Sequence, residues 1–365
     1  LTNLHNHYMR LAIKAAENAR GLCNPNPHVG AVLVNGDTLV ATGWTQCYGS
    51  DHAEVQAINK AGNLAYEADL YVTLEPCSHY GKTPPCALAI IKAGIKRVYI
   101  GITDPNPLVS GKGIHMLQDA GIEVFPGILG RQIKLQLEHY LCYITQQRPF
   151  VTLKTALTLD GKFAAPDGSS RWISNEQARQ YVHLLRYQHD AVLTGIQTIL
   201  RDDPLLNVRL PEVSKQTLRV VIDPLLQTPT TSKLALSMKD NPALIICGEQ
   251  QTTTQAAKEL QSLGARITCL PLNNGHFEPN AILKALYNLN ISSVLLETGS
   301  GMAESFLKAH LVDKCLFFYG AKIMGGTASP YPGLGITNIN DAIPCHNISY
   351  RRLGDNIMIT AYPKF

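Results

Sequence analysis

The chain has 365 residues, 45% of them hydrophobic, with 32 basic and 28 acidic side chains that leave a formal charge of +4. That length buries more than one core and points to two domains. The basic residues are scattered, so no lysine-arginine block marks a nucleic-acid tail, and no apolar run approaches the roughly 20 residues needed to cross a bilayer. The nine cysteines are an odd number for a disulfide framework. With no secretory signal in view, all but Cys77 and Cys86 read as reduced, buried thiols of a cytoplasmic protein. Leu1 stands where an initiator Met is expected, suggesting a trimmed or partial start.

In chain order, Leu4, Tyr8, Leu11, Ala12, Ala15, Ala16 and Ala19 fall on one stripe and predict a core-packing helix ending near Gly21. A turn over 23–27 leads to strands at 29–34 and 39–44, joined as a hairpin through Asn35-Gly36-Asp37. Asn26 stands at the entrance to the first of them, as a turn residue or as an amide that reads a pyrimidine edge. Residues 53–61 read as helix, 68–74 as strand, 86–93 as helix and 97–102 as strand. This alternation predicts a central sheet flanked by helices. Asp104-Pro105-Asn106-Pro107 follows as a turn at the sheet's edge, where ligand contacts are common and where turn chemistry alone also accounts for the residues. A strand at 123–125 and an amphipathic helix at 130–147 complete the first half. The boundary is placed at Arg148-Pro149, giving domains of 1–147 and 148–365 without an internal repeat between them.

The chemistry concentrates between His52 and Cys86. His52-Ala53-Glu54 opens a predicted helix, and a predicted strand leads into Pro76-Cys77, with Cys86 further on. Two thiols near a histidine can simply be buried apolar groups. Here, however, His-x-Glu, Pro-Cys and a second Cys occur in the order of the zinc deaminase signature. His52, Cys77 and Cys86 would supply three ligands to a tetrahedral zinc and leave the fourth position for water. Two thiolates and one imidazole favour zinc over other divalent ions. Glu54 would carry protons without binding the metal, and zinc would lower the pKa of its water from about 15.7 to about 7. The signature usually has two residues between its cysteines, whereas this chain has eight, Ser78 to Pro85. The insertion carries His79 and Lys82, which can reach a polar or anionic small molecule beside the metal.

The run Leu74-Glu75-Pro76-Cys77-Ser78-His79-Tyr80-Gly81-Lys82-Thr83-Pro84-Pro85-Cys86 resembles the deaminase half of the bifunctional riboflavin biosynthesis family RibD. So do Pro25-Asn26-Pro27-His28-Val29-Gly30-Ala31-Val32 and Asp104-Pro105-Asn106-Pro107, and the resemblance extends over nearly the whole chain. It implies an α/β protein with an N-terminal cytidine-deaminase-like three-layer domain and a C-terminal dihydrofolate-reductase-like domain. It further implies that the first half deaminates a phosphoribosylated diaminopyrimidinone, with Asn26, His79, Lys82, Asp104 and Asn106 as substrate contacts, and that the second reduces the ribosyl group to ribityl with NADPH. Thr45 departs from the pattern, which often has a histidine there.

In the second half, residues 150–156 predict a strand, with polar turns at 159–162 and 167–170 and then Arg171-Trp172-Ile173-Ser174. Ser174 is expected to cap a helix over 175–186. Strands at 191–195, 218–222, 243–247 and 294–297, with helices such as 256–263 and 281–289 between them, predict a mostly parallel sheet covered on both faces. Segments 347–353 and 356–362 predict an antiparallel hairpin at its edge. No Gly-x-Gly-x-x-Gly follows a strand, but Gly299-Ser300-Gly301 lies between a strand and a helix beginning near Met302, where helix N-H groups favour a phosphate and where a plain tight turn would also fit. The resemblance implies NADPH contacts at Ala156, Trp172, Thr198, Asp202, Gly299, Ser300, Gly301, Met302, Ala303, Glu304 and Ser305. It implies substrate contacts at Ser170, Arg186, Leu206, Arg209 and Glu297, with Lys154 orienting the ribose or stabilising charge at the reacting carbon. Two arginines and a serine suit a phosphate, and a carboxylate suits sugar hydroxyls. Thr298 departs from the Glu-Gly-Gly common in the family.

The reading is therefore a zinc- and NADPH-dependent enzyme of riboflavin biosynthesis that acts on a small phosphoribosyl pyrimidine, a homo-oligomer without nucleic-acid or membrane partners. Two other classes are weighed against it. A nucleic-acid deaminase would need a basic, aromatic-lined groove, which scattered charge and 7% aromatic residues do not suggest. A metal-dependent binding protein with a disused site would not need Glu54.

Overall fold

The computed structural model describes the chain except at Leu1, Arg171, Glu212 and Ser214 and at the side chain of Thr2. The start of the chain at Leu1 and the Arg171 position of the expected polar segment thus lie outside the described residues. Two compact units are present, Leu1–Arg148 and Pro149–Phe365. Among the described residues, no helix is long and apolar enough to cross a membrane.

The first unit holds five strands: β1 (Gly30–Asn35), β2 (Thr38–Trp44), β3 (Asp69–Leu74), β4 (Arg97–Ile102) and β5 (Glu123–Pro126). Their order is β2-β1-β3-β4-β5; β1 is antiparallel to both neighbours, and β3 to β5 are parallel. Its helices are α1 (Thr2–Ala16), α2 (Ala53–Ala61), α3 (Cys86–Lys92), α4 (Lys112–Asp119), α5 (Gly130–Gln136) and α6 (Glu138–Gln146). Two glycines show how the layers close. A Cβ on Gly30 would run into the Ala12 carbonyl of α1, and one on Gly43 into the Ala53 carbonyl of α2. Gly43 pairs with Ala31, the residue after Gly30, and successive strand residues face opposite ways, so α1 and α2 lie on opposite faces. Burial on both faces is why β1 and β3 read as continuous apolar runs rather than alternating ones.

Among the described residues, the second unit has nine strands: β6 (Phe150–Thr158), β7 (Ala191–Gly195), β8 (Leu218–Ile222), β9 (Ala243–Gly248), β10 (Arg266–Leu270), β11 (Ser293–Leu296), β12 (Lys314–Gly320), β13 (Cys345–Leu353) and β14 (Asn356–Pro363). They lie in the order β10-β9-β8-β7-β11-β6-β12-β14-β13. The pairs from β10 to β12 are parallel, and β13 and β14 form the expected antiparallel hairpin at the β12 side. The helices are α7 (Glu176–Gln188), α8 (Ile196–Asp202), α9 (Lys233–Leu236), α10 (Gln255–Ser262), α11 (Pro279–Asn288) and α12 (Ser300–Lys308). Both faces of β11 are covered: Val294 and Leu296 join one apolar cluster, while Leu295 packs with Ala178, Val182 and Leu185 of α7. Because β7, β11 and β6 are parallel neighbours, the residues after their C-terminal ends share one edge of the sheet.

Several expectations change. The helix expected over 130–147 is two, broken at Leu137, whose φ −93° and ψ 15° leave helical geometry. The cap of α7 is Asn175, not Ser174: the Asn175 side chain accepts from Ala178 N at 2.8 Å, while Ser174 offers its carbonyl to Arg179. The last helix begins at Ser300, with Gly299 as its cap residue, rather than near Met302. Elements α4, α8, α9, β10 and β12 add to those expected.

Candidate active sites

His52 caps α2 in an extended conformation (φ −76°, ψ 167°), and the helix is pulled against β2 by the bare backbone at Gly43. Cys77 lies in the loop after β3, and Cys86 is the first residue of α3. These elements bring three donor atoms within 4.8 Å of one another, the one such group of histidine, cysteine and carboxylate donors among the described residues. His52 uses Nδ1, which lies 3.2 Å from Cys86 Sγ and 3.6 Å from Cys77 Sγ. Tetrahedral zinc bonds of about 2.0 Å to nitrogen and about 2.3 Å to sulfur place such donors roughly 3.5 Å apart, so the set fits the ion.

The electrostatics agree with that assignment. Cys77 Sγ accepts the Cys86 backbone N-H at 3.3 Å at the start of α3. Hydrogen bonding from Cys86 and from His52 overcomes burial and brings the Cys77 thiol down to about 4, whereas Cys86, bonded to that thiolate and buried, is pushed well up. The bond to Cys77 raises His52. Glu54, 3% exposed in the first turn of α2, is pushed up to about 7 by burial. A carboxyl poised there can both take and give a proton near neutral pH.

A cleft opens over His52 and Cys77 and is lined also by Asn26, His79 and Lys82. Three expected substrate residues therefore share one surface with the donors. Tyr48 and Ser50, which carried no sequence signal, line it too, as does Thr83, which lies in the quoted motif without a role there; Tyr48 lies under the Lys82 ammonium, 4.2 Å from ring centre to Nζ. Asp104 and Asn106 are not among the lining residues. Asp104 is buried, accepting from Tyr140 Oη at 2.9 and 3.0 Å and from Asn106 N at 2.9 Å, and the Asn106 side chain accepts from Leu108 N at 3.1 Å. Burial raises the Asp104 carboxyl. Thr45, at the family's frequent histidine position, is buried and accepts from Val29 N at 3.1 Å.

One further residue, inside the quoted motif but given no role there, sets the position of Cys77. The buried Glu75 carboxylate accepts from Asp104 N (3.2 Å), Gly111 N (3.0 Å), Gly113 N (3.0 Å) and Ile114 N (3.3 Å), so it caps α4 with several otherwise unpaired N-H groups. A Cβ on Gly113 would run into the Pro76 carbonyl, so only glycine lets α4 sit this close to the metal loop.

In the second unit, Arg186 of α7 meets Glu297, just past β11. The guanidinium fork is bidentate, Nε to Oε1 at 2.6 Å and Nη2 to Oε2 at 3.0 Å, and Nη1 donates to the Asn207 carbonyl at 3.1 Å. Burial draws the Glu297 carboxyl upward, but Arg186 wins and holds it below the usual range. Burial lowers Lys154, which feels both partners. Arg209 Nη1 donates to Asn207 Oδ1 at 2.7 Å, and its backbone N-H to His183 Nδ1 at 3.3 Å. His183, which the sequence did not single out, is brought down to about 4 by burial and by the two arginines. The site thus gathers Lys154, Arg186, Arg209 and Glu297, while the Leu206 side chain packs into an apolar cluster. Ser170 sits in the loop after β6, its carbonyl accepting from Ile173 N at 3.1 Å.

Of the residues expected to touch the cofactor, Thr198 and Asp202 lie on α8 after β7, Ala156 near the end of β6, and Gly299 to Ser305 in the cap and first turns of α12 after β11. They converge on the shared sheet edge. Gly299 gives α12 no side-chain cap, and a Cβ at Gly299 or Gly301 would meet nothing within 4 Å, so the space beside these two glycines is open. Glu304 is engaged, accepting from Gly333 N at 2.8 Å. Trp172 is exposed and stacked on Arg179, 4.6 Å from Cζ to ring centre.

Residues 149–358 match the family described as RibD C-terminal domain, and residues 2–102 match the cytidine and deoxycytidylate deaminase zinc-binding region. The chain is 40% identical over 359 residues to riboflavin biosynthesis protein RibD of Aquifex aeolicus, covering 98% of each. It is 41% identical over 363 residues to RibD of Bacillus amyloliquefaciens, covering 99% of this chain and 97% of that one. Among solved structures, Acinetobacter baumannii RibD superposes with a TM-score of 0.89 at 32% identity over 100% of both chains. A Thermotoga maritima diaminohydroxyphosphoribosylaminopyrimidine deaminase/5-amino-6-(5-phosphoribosylamino)uracil reductase gives 0.86 at 33% identity over 100% of this chain and 99% of that one. The chain belongs to the RibD family of riboflavin biosynthesis proteins and joins a deaminase and a reductase in one polypeptide.

Proposed function

We propose that the first unit hydrolytically deaminates 2,5-diamino-6-(5-phosphoribosylamino)pyrimidin-4-one and that the second reduces the ribosyl group of the product to ribityl with NADPH. The observation that carries the reading is the convergence of His52 Nδ1 and two thiols beside a buried Glu54. His52, Cys77 and Cys86 would hold zinc, whose Lewis acidity brings water within reach of deprotonation near neutral pH. Glu54 takes a proton from the attacking water and returns it to the departing nitrogen as the C-N bond breaks, so ammonia leaves and a carbonyl remains. Asn26 reads the ring, and Lys82 with His79 faces the anionic arm. Asp104 and Asn106, hydrogen-bonded at the sheet edge, contribute by holding the loop beside Glu75.

In the second unit the open N-terminus of α12 receives a cofactor phosphate, with Ala156, Trp172, Thr198 and Asp202 around the rest. The C1′–O4′ bond of the ribose opens, O4′ takes a proton and C1′ takes a hydride, which NADPH would supply when bound. Lys154, a buried cation beside Glu297, steadies charge at the reacting centre, and Arg186, Arg209 and Ser170 hold the substrate phosphate. Seven cysteines outside the metal site, all free thiols, support a cytoplasmic setting, although Cys47, Cys269 and Cys345 are exposed rather than buried as expected. The exposed edge strand β13, with Ile348 and Tyr350 outward, supports a homo-oligomer.

The test is to incubate the purified protein with the phosphoribosyl diaminopyrimidinone, with and without NADPH, following ammonia and cofactor absorbance separately. Ammonia should appear in both samples, and NADPH should be consumed only as deaminated product forms. Ammonia release from RNA or single-stranded DNA, with none from this compound, would overturn the reading in favour of a nucleic-acid deaminase.

A further inference from the structure

The loop after α8 carries Asn207 and Arg209, and its backbone is held in an unusual shape. Asp203 and Leu206 both take positive φ, 40° and 53°, which side chains disfavour, so the surroundings must impose it. Part of the hold is plain. Lys233 N donates to Asp203 Oδ1 at 2.8 Å, and Gln216 bonds both backbone groups of Val208, at 3.1 and 3.3 Å.

The remaining hold is a buried charge. Arg219 lies in the interior strand β8, is 0% exposed, and points into the apolar cluster of Val221, Leu234 and Met238. Its Nη1 donates to the Leu205 carbonyl at 3.0 Å and to Ser237 Oγ at 2.8 Å, and its Nη2 to the carbonyls of Ser237, at 3.4 Å, and Asn241. No carboxylate is among these partners, and Nε is buried without one. Burial brings the group down only to about 10, so it stays cationic at neutral pH. A lone arginine in an apolar core costs stability unless its geometry serves a purpose. Here the fork reaches the loop at the Leu205 carbonyl, beside Leu206 and two residues before Asn207.

We propose that Arg219 is a positioning residue of the reductase: by fixing the Leu205 carbonyl it places Asn207 and Arg209 against Arg186 for the substrate phosphate. This rests on the reading that Arg186 and Arg209 bind that substrate. The test uses the full chain and its two activities. Arg219→Gln should raise the reductase KM for the deaminated phosphoribosyl substrate about 10- to 100-fold, leave the KM for NADPH and the release of ammonia within about twofold, and be largely rescued by Arg219→Lys. Arg209→Ala should raise the same KM, and by a smaller factor in the Arg219→Gln background than in the native one, because a misplaced arginine has less to lose. Should Arg219→Gln not fold, the same comparison is made with Arg219→Met, which suits the apolar cluster and cannot donate to the Leu205 carbonyl. An effect of Arg209→Ala that is undiminished in the Arg219 variant, or an unchanged KM in that variant, overturns the proposal. An unchanged KM in Arg209→Ala itself overturns instead the assignment of the substrate site.

Discussion

In the first unit His52 Nδ1 stands 3.2 Å from Cys86 Sγ and 3.6 Å from Cys77 Sγ, and Glu54, pushed up to about 7 by burial, lies in the first turn of the helix that His52 caps. In the second, Arg186 and Glu297 close on each other at 2.6 and 3.0 Å. One site is completed from outside, and the other is complete in itself and must share its partners with the substrate. The same kind of substitution should therefore register as lost chemistry in the first unit and as lost stability in the second.

The largest expected effect is on chemistry. Glu54→Gln keeps the shape and removes the proton carrier, so ammonia release should fall by about 10²- to 10⁴-fold. NADPH oxidation with deaminated substrate supplied should stay within about twofold, since nothing in the second unit changes; joint loss of both in a folded variant would break the contrast. Next is the metal. Cys77→Ser removes the thiolate and should abolish stoichiometric zinc and ammonia release while sparing the reductase, as should chelation. Because His52 lies above its ordinary value and Cys86 well above, both must lose protons to bind zinc, so apparent affinity should rise with pH. Calorimetry in buffers of different ionisation enthalpy measures that proton release.

For the second unit the expected readout is unfolding. Glu297→Gln strands a guanidinium that is nearly buried, at a cost of about 3–5 kcal/mol, whereas replacing Arg186 and Glu297 together by Met and Leu should be far milder and still end reduction. Each unit holds one tryptophan, Trp44 and Trp172, so a Trp→Phe variant of either leaves a reporter of the other. If the double replacement costs as much as the single, the closed pair is not what Glu297 contributes to stability.

The contrast also explains what could be read in advance. A metal admits few donor types at few spacings, so His52, Glu54, Cys77 and Cys86 stood out even across an eight-residue insertion. Alternating apolar segments gave most strands, because a sheet covered on both faces leaves unbroken runs such as those of β1 and β11. Glu75 was hidden because its task, capping α4, is set by tertiary approach at Gly113 and not by neighbours in sequence. His183 was hidden for a similar reason: its role depends on lying between two arginines 3 and 26 residues away. The helix break at Leu137 follows no glycine or proline, so periodicity ran through it. Strand β12 is legible in hindsight, since Cys315-Leu316-Phe317-Phe318 is apolar and Gly320 closes it.

Acid should act on both units through histidines kept neutral. His28, two residues after Asn26, is buried and brought down to about 4 by burial and by Arg20, from an ordinary value near 6.5. The unfolded chain then binds a proton that the folded one refuses, so this stabilisation is intact above about pH 6.5 and is lost as pH falls toward 4, amounting to at most roughly 3 kcal/mol. His28→Gln should flatten the acid limb of Trp44-reported unfolding in a Trp172→Phe background. His183, also brought down to about 4, predicts the same sign for the second unit. An unchanged limb in the His28 variant would assign acid sensitivity to carboxylates instead.

The smallest effect tests the departure at Thr45. Its hydroxyl accepts from Val29 N, but that N-H also reaches the Pro27 carbonyl at 3.1 Å, so Thr45→Val removes one of two acceptors. The expected cost is about 1 kcal/mol or less, because a partly satisfied N-H loses little. If Thr45 only pairs β1 to its neighbour, the KM for the pyrimidine should not move. A several-fold rise in KM with kcat unchanged would instead mean that the hydroxyl reads the ring, the task that a histidine at this position would otherwise perform, and would extend the ligand-completed character of the first site to its floor.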